Sequence, residues 1–312
     1  MNRRIFIGRA AAASAALVAG GQWTACTYGK SRQQREQPFR WAMGWILWRD
    51  FKGRDIPLSE AIQTLSELGL DGIEFSPRKG ELEKHGFTRE RFRDLLQEKK
   101  LAVSGNYFGG NFHDRTQTDT IRTAFGNTLE NLRFYGARNV IIGPPGRNVE
   151  NIGEAIRATA PVLNELGRIA NGAGIRLGLH PHVNTIVETP DEIDLIMELT
   201  DPQQVSLAPD TGHIRLGGGN ALDIIRKYRD RLSYFHLKDS AGEFQRPHFG
   251  PNLRELGQGE IDFPGIMALL KEAGFSGWLN VEQDYTFTTP AESAAISANY
   301  IRHTLKPIVN DK

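Results

Sequence analysis

The chain has 312 residues, 24% charged and 39% hydrophobic, which gives enough length and apolar content for a large folded core. Lysine and arginine number 38 against 37 aspartates and glutamates; this near balance, without a basic block, excludes the electrostatic footprint of a nucleic-acid protein and leaves a small molecule as the expected ligand. Cys26 is the single cysteine, so an intrachain disulfide and a thiolate-rich metal site are both excluded, and any metal must be held by His, Asp and Glu.

Residues 1–26 read as an export signal: a basic start, an Ala-rich apolar stretch too short to span a bilayer, and a small-residue exit. Arg3-Arg4 followed by Ile5-Phe6-Ile7 resembles a twin-arginine signal, with Asn2 where Ser or Thr is usual. The expected location is the periplasm. Cys26 after Thr24-Ala25 is similar to a lipoprotein cleavage box except for the bulky Trp23, so a lipid anchor at Cys26 stands as the alternative. Residues 27–37 read as a polar linker, and the folded domain is expected over 38–312.

From there one pattern repeats: short β-branched or aromatic runs alternate with amphipathic stretches of helical length, the signature of a parallel sheet with helical crossovers. Strands are expected at 40–48, 72–77, 102–108, 139–145, 176–182, 205–213, 232–239 and 277–284. Between them, Leu58, Ile62, Leu65 and Leu68 share one helical face ahead of Gly69, and Thr88 opens a helix with Phe92, Leu95 and Leu96 as its stripe. Pro161 is expected to kink the fourth helix, because it lacks an interior N–H. Eight such units over about 275 residues fit a single (β/α)8 TIM barrel. The open doubly wound rival lacks its Gly-rich phosphate turn after the first strand; the glycines at 217–219 read as loop formers.

A barrel gathers its chemistry where the strands end. Those ends carry Glu74, Asn106, a glycine-proline turn at 143–145, His180 with His182, Asp210 with His213, His236 with Lys238 and Asp239, and Glu282 with Asp284. His180, Asp210, His236 and Glu282 form the sharpest subset. Two imidazoles and two carboxylates suit a divalent ion of borderline hardness, Mn2+ or Co2+ first, with Zn2+, Fe2+ and Mg2+ as alternatives. Taken singly each has a bland reading: a hydrogen-bonded histidine, a turn-forming Asp210, a solvent-facing Glu282. Lys238 is read either as an acid or as a salt-bridge partner of Asp239. Trp45, Trp48, Tyr107 and Phe108 are placed to stack on a sugar ring or to fill the core. The stretch at 240–263 reads as a long structureless insertion on the catalytic side, a lid or specificity element, in which His248 is either a substrate contact or an exposed loop histidine.

The segments "GLDGIEF", "HPHVNTIVETPDEIDLIMELTDP", "LAPDTGH", "YFHLKDS" and "GQGEIDFPGIMALLKEAGFSGWLNVEQD" resemble the sugar isomerase/epimerase superfamily with its xylose isomerase-like barrel, nearest to the inosose dehydratase branch. The resemblance runs from about residue 40 to about residue 305 and is most specific in the second half. It implies a divalent metal held by the ends of strands five to eight, here with Asp210, His236 and Glu282 at the last three positions and His180 where many epimerases have glutamate. It further implies enolisation of a keto-sugar or cyclitol, by an enzyme that is a lyase (dehydratase) first and an epimerase or isomerase second. A sugar-binding barrel without chemistry is the remaining alternative. The implied proton-transfer groups are Glu282, His180, His182, His213 and Lys238, with Glu74, Trp45, Tyr107 and His248 contacting substrate.

Overall fold

Short apolar runs form eight parallel strands: β1 (Phe39–Gly44), β2 (Gly72–Glu74), β3 (Ala102–Gly109), β4 (Asn139–Gly143), β5 (Arg176–Leu179), β6 (Ser206–Leu207), β7 (Phe235–Leu237) and β8 (Gly277–Val281). This computed structural model describes residues 39–49, 51–54 and 56–310; the stretches expected to be an export signal and a linker, with Cys26, lie outside the described residues. The strands pair in the order β6-β5-β4-β3-β2-β1-β8-β7. Parallel bridges from Leu207 to Leu232 and from Asp210 to His236 then join the two edge strands, so the sheet curls back on itself. That closure leaves no free edge, as a (β/α)8 barrel requires.

Helices follow the strands in turn, and local sequence sets where they begin. Thr88 caps the helix Arg89–Glu98, and Asn151 caps Ile152–Gly172. Thr189 and Thr289 each form a capping box with a glutamate three residues on and a proline at the first helical position. The outer core fills the space between helices and strands. A smaller cluster of Ala42, Ile141, Ala208, Tyr234 and Trp278, drawn from five different strands or their flanks, fills the barrel beneath the rim. Among the described residues no helix is long and apolar enough to cross a membrane.

Three expectations are corrected. The strand expected at 40–48 stops at Gly44 and turns into a 3-10 helix, Trp45–Leu47. The strand expected through His213 stops at Leu207, and Thr211–Leu216 is a helix capped by Asp210. In both places buried residues continue past the strand, so burial imitated strand periodicity. The insertion after β7 is ordered: Asp239–Ser240 pairs antiparallel with Leu253–Arg254. The loop is also clasped to the segment after β5. Arg246 forms a two-pronged ion pair with buried Glu188, and Asn184 donates its side-chain amide to the Pro247 carbonyl at 2.9 Å.

Candidate active site

The strand-end residues of β5 to β8 meet. His180 follows β5, Asp210 caps the helix after β6, His236 lies within β7 and Glu282 follows β8. One potential ligand atom from each lies within 4.8 Å of all the others. All four are buried or nearly so.

His236 is the hub. Its Nε2–H donates to Glu74 Oε2 at 2.6 Å, and its Nδ1 lies 2.9 Å from His180 Nδ1 and 3.0 Å from Glu282 Oε2. Burial opposes charge on this ring, but Glu282 and Glu74 overcome it and hold the imidazole well above its usual range. His180 goes the other way: burial and the neighbouring His236 charge keep it neutral. With His236 donating from Nδ1, the neutral His180 accepts at Nδ1 and carries its proton on Nε2, which is buried without a partner. Asp210 Oδ2 and Glu282 Oε2 are likewise buried without a well-aligned hydrogen bond. Burial pushes the Asp210 carboxyl up to about 7, whereas Glu282 is held well below the carboxylate range, burial being outweighed by His236 and Lys238.

Lys238 forms the second hub. Its ammonium is fully buried, 2.6 Å from Asp284 Oδ2, 2.8 Å from His213 Nε2, and 3.1 Å from both Asp210 Oδ2 and Glu282 Oε2. Burial disfavours that charge, yet Asp210, Asp284 and Glu282 hold it well above the ordinary lysine range. The expected pairing with Asp239 is corrected, since Asp239 instead accepts the backbone N–H groups of Ser240, Gly257 and Gly259 at 2.9 Å and so ties down the end of the insertion. Gly212 makes room for the lysine: a Cβ there would stand 2.7 Å from Lys238 Cγ and 3.0 Å from its carbonyl oxygen.

His182 and His213 stack with ring centroids 3.6 Å apart. Burial lowers both, followed by the Lys238 charge for His182 and by His182 and Lys238 for His213, so both are neutral at neutral pH. His182 donates Nδ1–H to the Val183 carbonyl at 2.6 Å, which leaves Nε2 as an acceptor. A cavity of about 250 Å3 opens beside these groups, lined by Trp45, Tyr107, His180, His182, Glu282 and Asp284 among others.

Other expected contacts divide. Glu74 also lines the cavity, but its Oε2 is engaged by His236. Trp45 is buried, its indole N–H bonded to Glu81 at 2.8 Å, and only its ring borders the cavity. Tyr107 is 36% exposed and stands edge-on to His180 at 5.7 Å. His248 is exposed and not among the cavity-lining residues; its neighbour Phe249 instead packs edge-on against His182 at 5.4 Å and His213 at 4.9 Å. Asp284 had been read only as a polar strand end, although its spacing of two from Glu282 places both on one face of an extended segment. Nothing in the sequence marks Phe249.

A closed eight-stranded barrel with its ionisable groups gathered at the C-terminal rim defines a TIM-barrel enzyme architecture. The chain belongs to the xylose isomerase-like TIM barrel family, whose model matches residues 62–304. It is 30% identical to an inosose dehydratase of Bacillus licheniformis, spanning 85% of this chain and 96% of that protein. An inosose dehydratase of Lacticaseibacillus casei is 28% identical, spanning 81% of this chain and 91% of that one. Among solved structures, the IolI protein with a bound zinc atom superposes with a TM-score of 0.72 at 19% identity, covering 86% of this chain and 98% of that one. The two inosose dehydratases are, by name, enzymes that dehydrate an inosose.

Proposed function

We propose that this protein is a divalent-metal-dependent dehydratase of a keto-sugar or cyclitol. The observation that carries the reading is the convergence of His180, Asp210, His236 and Glu282 at the rim, with buried atoms on three of them left without a well-aligned hydrogen bond. Two nitrogen and two oxygen donors suit a borderline divalent ion, and the zinc-bound IolI neighbour supports the same choice. The positive charges of His236 and Lys238 beside the two carboxylates also mark a place where cationic charge is favoured. Glu74 would orient His236 as a ligand by holding its other ring nitrogen.

When bound, the metal supplies Lewis-acid stabilisation for negative charge developing on a ketone oxygen. The chain supplies the rest. His182, neutral and with Nε2 unengaged, takes the proton from the carbon next to the ketone. Lys238 holds a proton 2.6 Å from Asp284, and Asp284 lines the cavity, so this pair returns a proton to the departing hydroxyl and water leaves. His213 accepts from Lys238 and fixes the ammonium in place. A neutral imidazole facing an ammonium–carboxylate pair suits moving a proton off carbon and another onto oxygen. A two-faced epimerase would need a second free carboxylate, whereas Glu74 is engaged by His236 and His180 occupies the strand-five position.

The test is incubation of the metal-loaded protein with an inosose in deuterated buffer. Dehydration gives a growing ultraviolet absorbance and loss of water in the mass spectrum, halted by a chelator and restored by added divalent ion. Deuterium at the α carbon without loss of water would instead make the protein an epimerase, and no change in either signal would overturn the enzymatic reading.

A further inference from the structure

The central cavity has a larger neighbour. A second cavity of about 580 Å3 lies on the outer flank of β3 and shares Ser76 and Tyr107 with the first. Strand alternation separates the two: Tyr107 leans inward, its hydroxyl over Gly143, while Asn106 and Phe108 face out and Phe108 packs on Phe125. The Tyr107 backbone N–H donates to Ser76 Oγ at 2.5 Å, so these two residues form the sill between the cavities.

The flank carries unmet hydrogen-bonding capacity. Asn106 is 6% exposed and borders this cavity. Arg89, another lining residue, has a buried Nε with no partner. Buried polar groups are normally paired, so the Arg89 Nε–H calls for a ligand or water that can accept. Asn127, Thr128 and Asn131 add neutral polar groups from one helix, and the Arg89 guanidinium lies 3.5 Å from Glu130, so the wall is polar without strong net charge. Hydroxyl groups match this lining better than an anion or an apolar group.

We propose that the flank cavity is a second carbohydrate subsite, so that the substrate is a glycoside whose ketone-bearing ring occupies the central cavity and whose second hydroxylated ring crosses Tyr107 into the flank. The inference rests on the dehydratase reading for the first ring and names the substrate class. Size agrees with this division, because small-molecule pockets commonly measure about 300–1,000 Å3; the central cavity at about 250 Å3 accommodates one ring and little more. Tyr107, 36% exposed on the sill, offers an aromatic surface to the linkage between rings.

The experiment compares an inosose with the same inosose carrying a β-linked glucosyl group, using calorimetric titration of the metal-loaded full chain in parallel with turnover. The glucosyl compound is expected to bind at least tenfold more tightly, and Asn131→Phe, a substitution at a partly exposed helix position, is expected to reduce that ratio to near one. Asn106→Leu, which removes a polar group from the cavity lining and nearly conserves volume, is expected to reduce it as well. A merely structural disturbance would weaken both ligands together and leave the ratio unchanged. Equal affinities in the wild type, a ratio that survives Asn131→Phe, or failure of both ligands to bind would overturn the subsite. Binding without turnover of either compound would overturn the dehydratase reading while leaving the binding ratio to decide the subsite.

Discussion

The two halves of the barrel rim treat buried charge in opposite ways. Over β1 to β4 a buried carboxylate is closed off by its neighbours: Glu81 accepts from the Trp45 indole at 2.8 Å, the Arg49 guanidinium at 2.9 Å and the Arg78 backbone N–H at 2.6 Å. Over β5 to β8 the charges crowd together: Asp210 Oδ2 and Glu282 Oε2 meet their cations without a well-aligned hydrogen bond, and His180 Nε2 and His213 Nδ1 have no hydrogen-bond partner. A satisfied network rigidifies, whereas unsatisfied buried groups are retained against their own cost only where something else makes use of them. The first half is built as a wall and the second as a tool.

The largest effect expected from this contrast lies in the second half. Glu282→Gln removes a carboxylate from the four-residue cluster and should lower kcat/KM for dehydration by about a thousandfold, about 4 kcal/mol of transition-state stabilisation. Its thermal midpoint should also fall, because the amide no longer compensates the buried His236 and Lys238 charges, yet the protein that remains folded should still show the thousandfold loss. A large loss of stability with activity retained in the folded fraction would show that Glu282 belongs to a structural network and would break the contrast.

In the first half the signs should reverse. Glu81→Leu strips the partners from the Trp45 indole and the Arg49 guanidinium, both largely buried, and should cost about 3 kcal/mol in denaturant unfolding. Turnover by the folded protein at low temperature should stay within a few-fold of wild type. Loss of activity without loss of stability would move Glu81 into the working half.

Glu74 sharpens the division because it belongs to β2 yet serves His236. Glu74→Gln keeps an acceptor near Nε2 but removes the charge, and should weaken divalent-metal affinity about 10–100-fold by competition with a chromophoric chelator. An unchanged affinity would return Glu74 to the substrate-contact role expected from sequence.

The sequence made the barrel legible through eight alternations of apolar run and amphipathic stretch, and it made the convergence of His180, Asp210, His236 and Glu282 legible because ionisable residues directly follow apolar runs. Strand ends were read too long at Trp45 and His213, since a residue buried under a loop or helix looks like one buried in a sheet. Links between distant segments had no local signal: Arg49 to Glu81 spans 32 positions and Arg246 to Glu188 spans 58. Only chain folding brings such residues together, and neither composition nor periodicity encodes the pairing. Lys238 illustrates the same limit, since its adjacent carboxylate Asp239 serves backbone amides and its carboxylate partners come from two other strand ends, those of β6 and β8.

The clasp between Arg246 and Glu188 has a consequence for how this enzyme architecture can diversify. Phe249 reaches the stacked imidazoles from a loop whose base is held by the short antiparallel pairing and by Asp239 and whose tip is clasped by a two-pronged ion pair and an amide hydrogen bond, while the ionisable cluster hangs on the strands. The insertion therefore behaves as an exchangeable cassette: its length and tip can be rewritten, by evolution or by design, to reshape the entrance while the reacting groups keep their places.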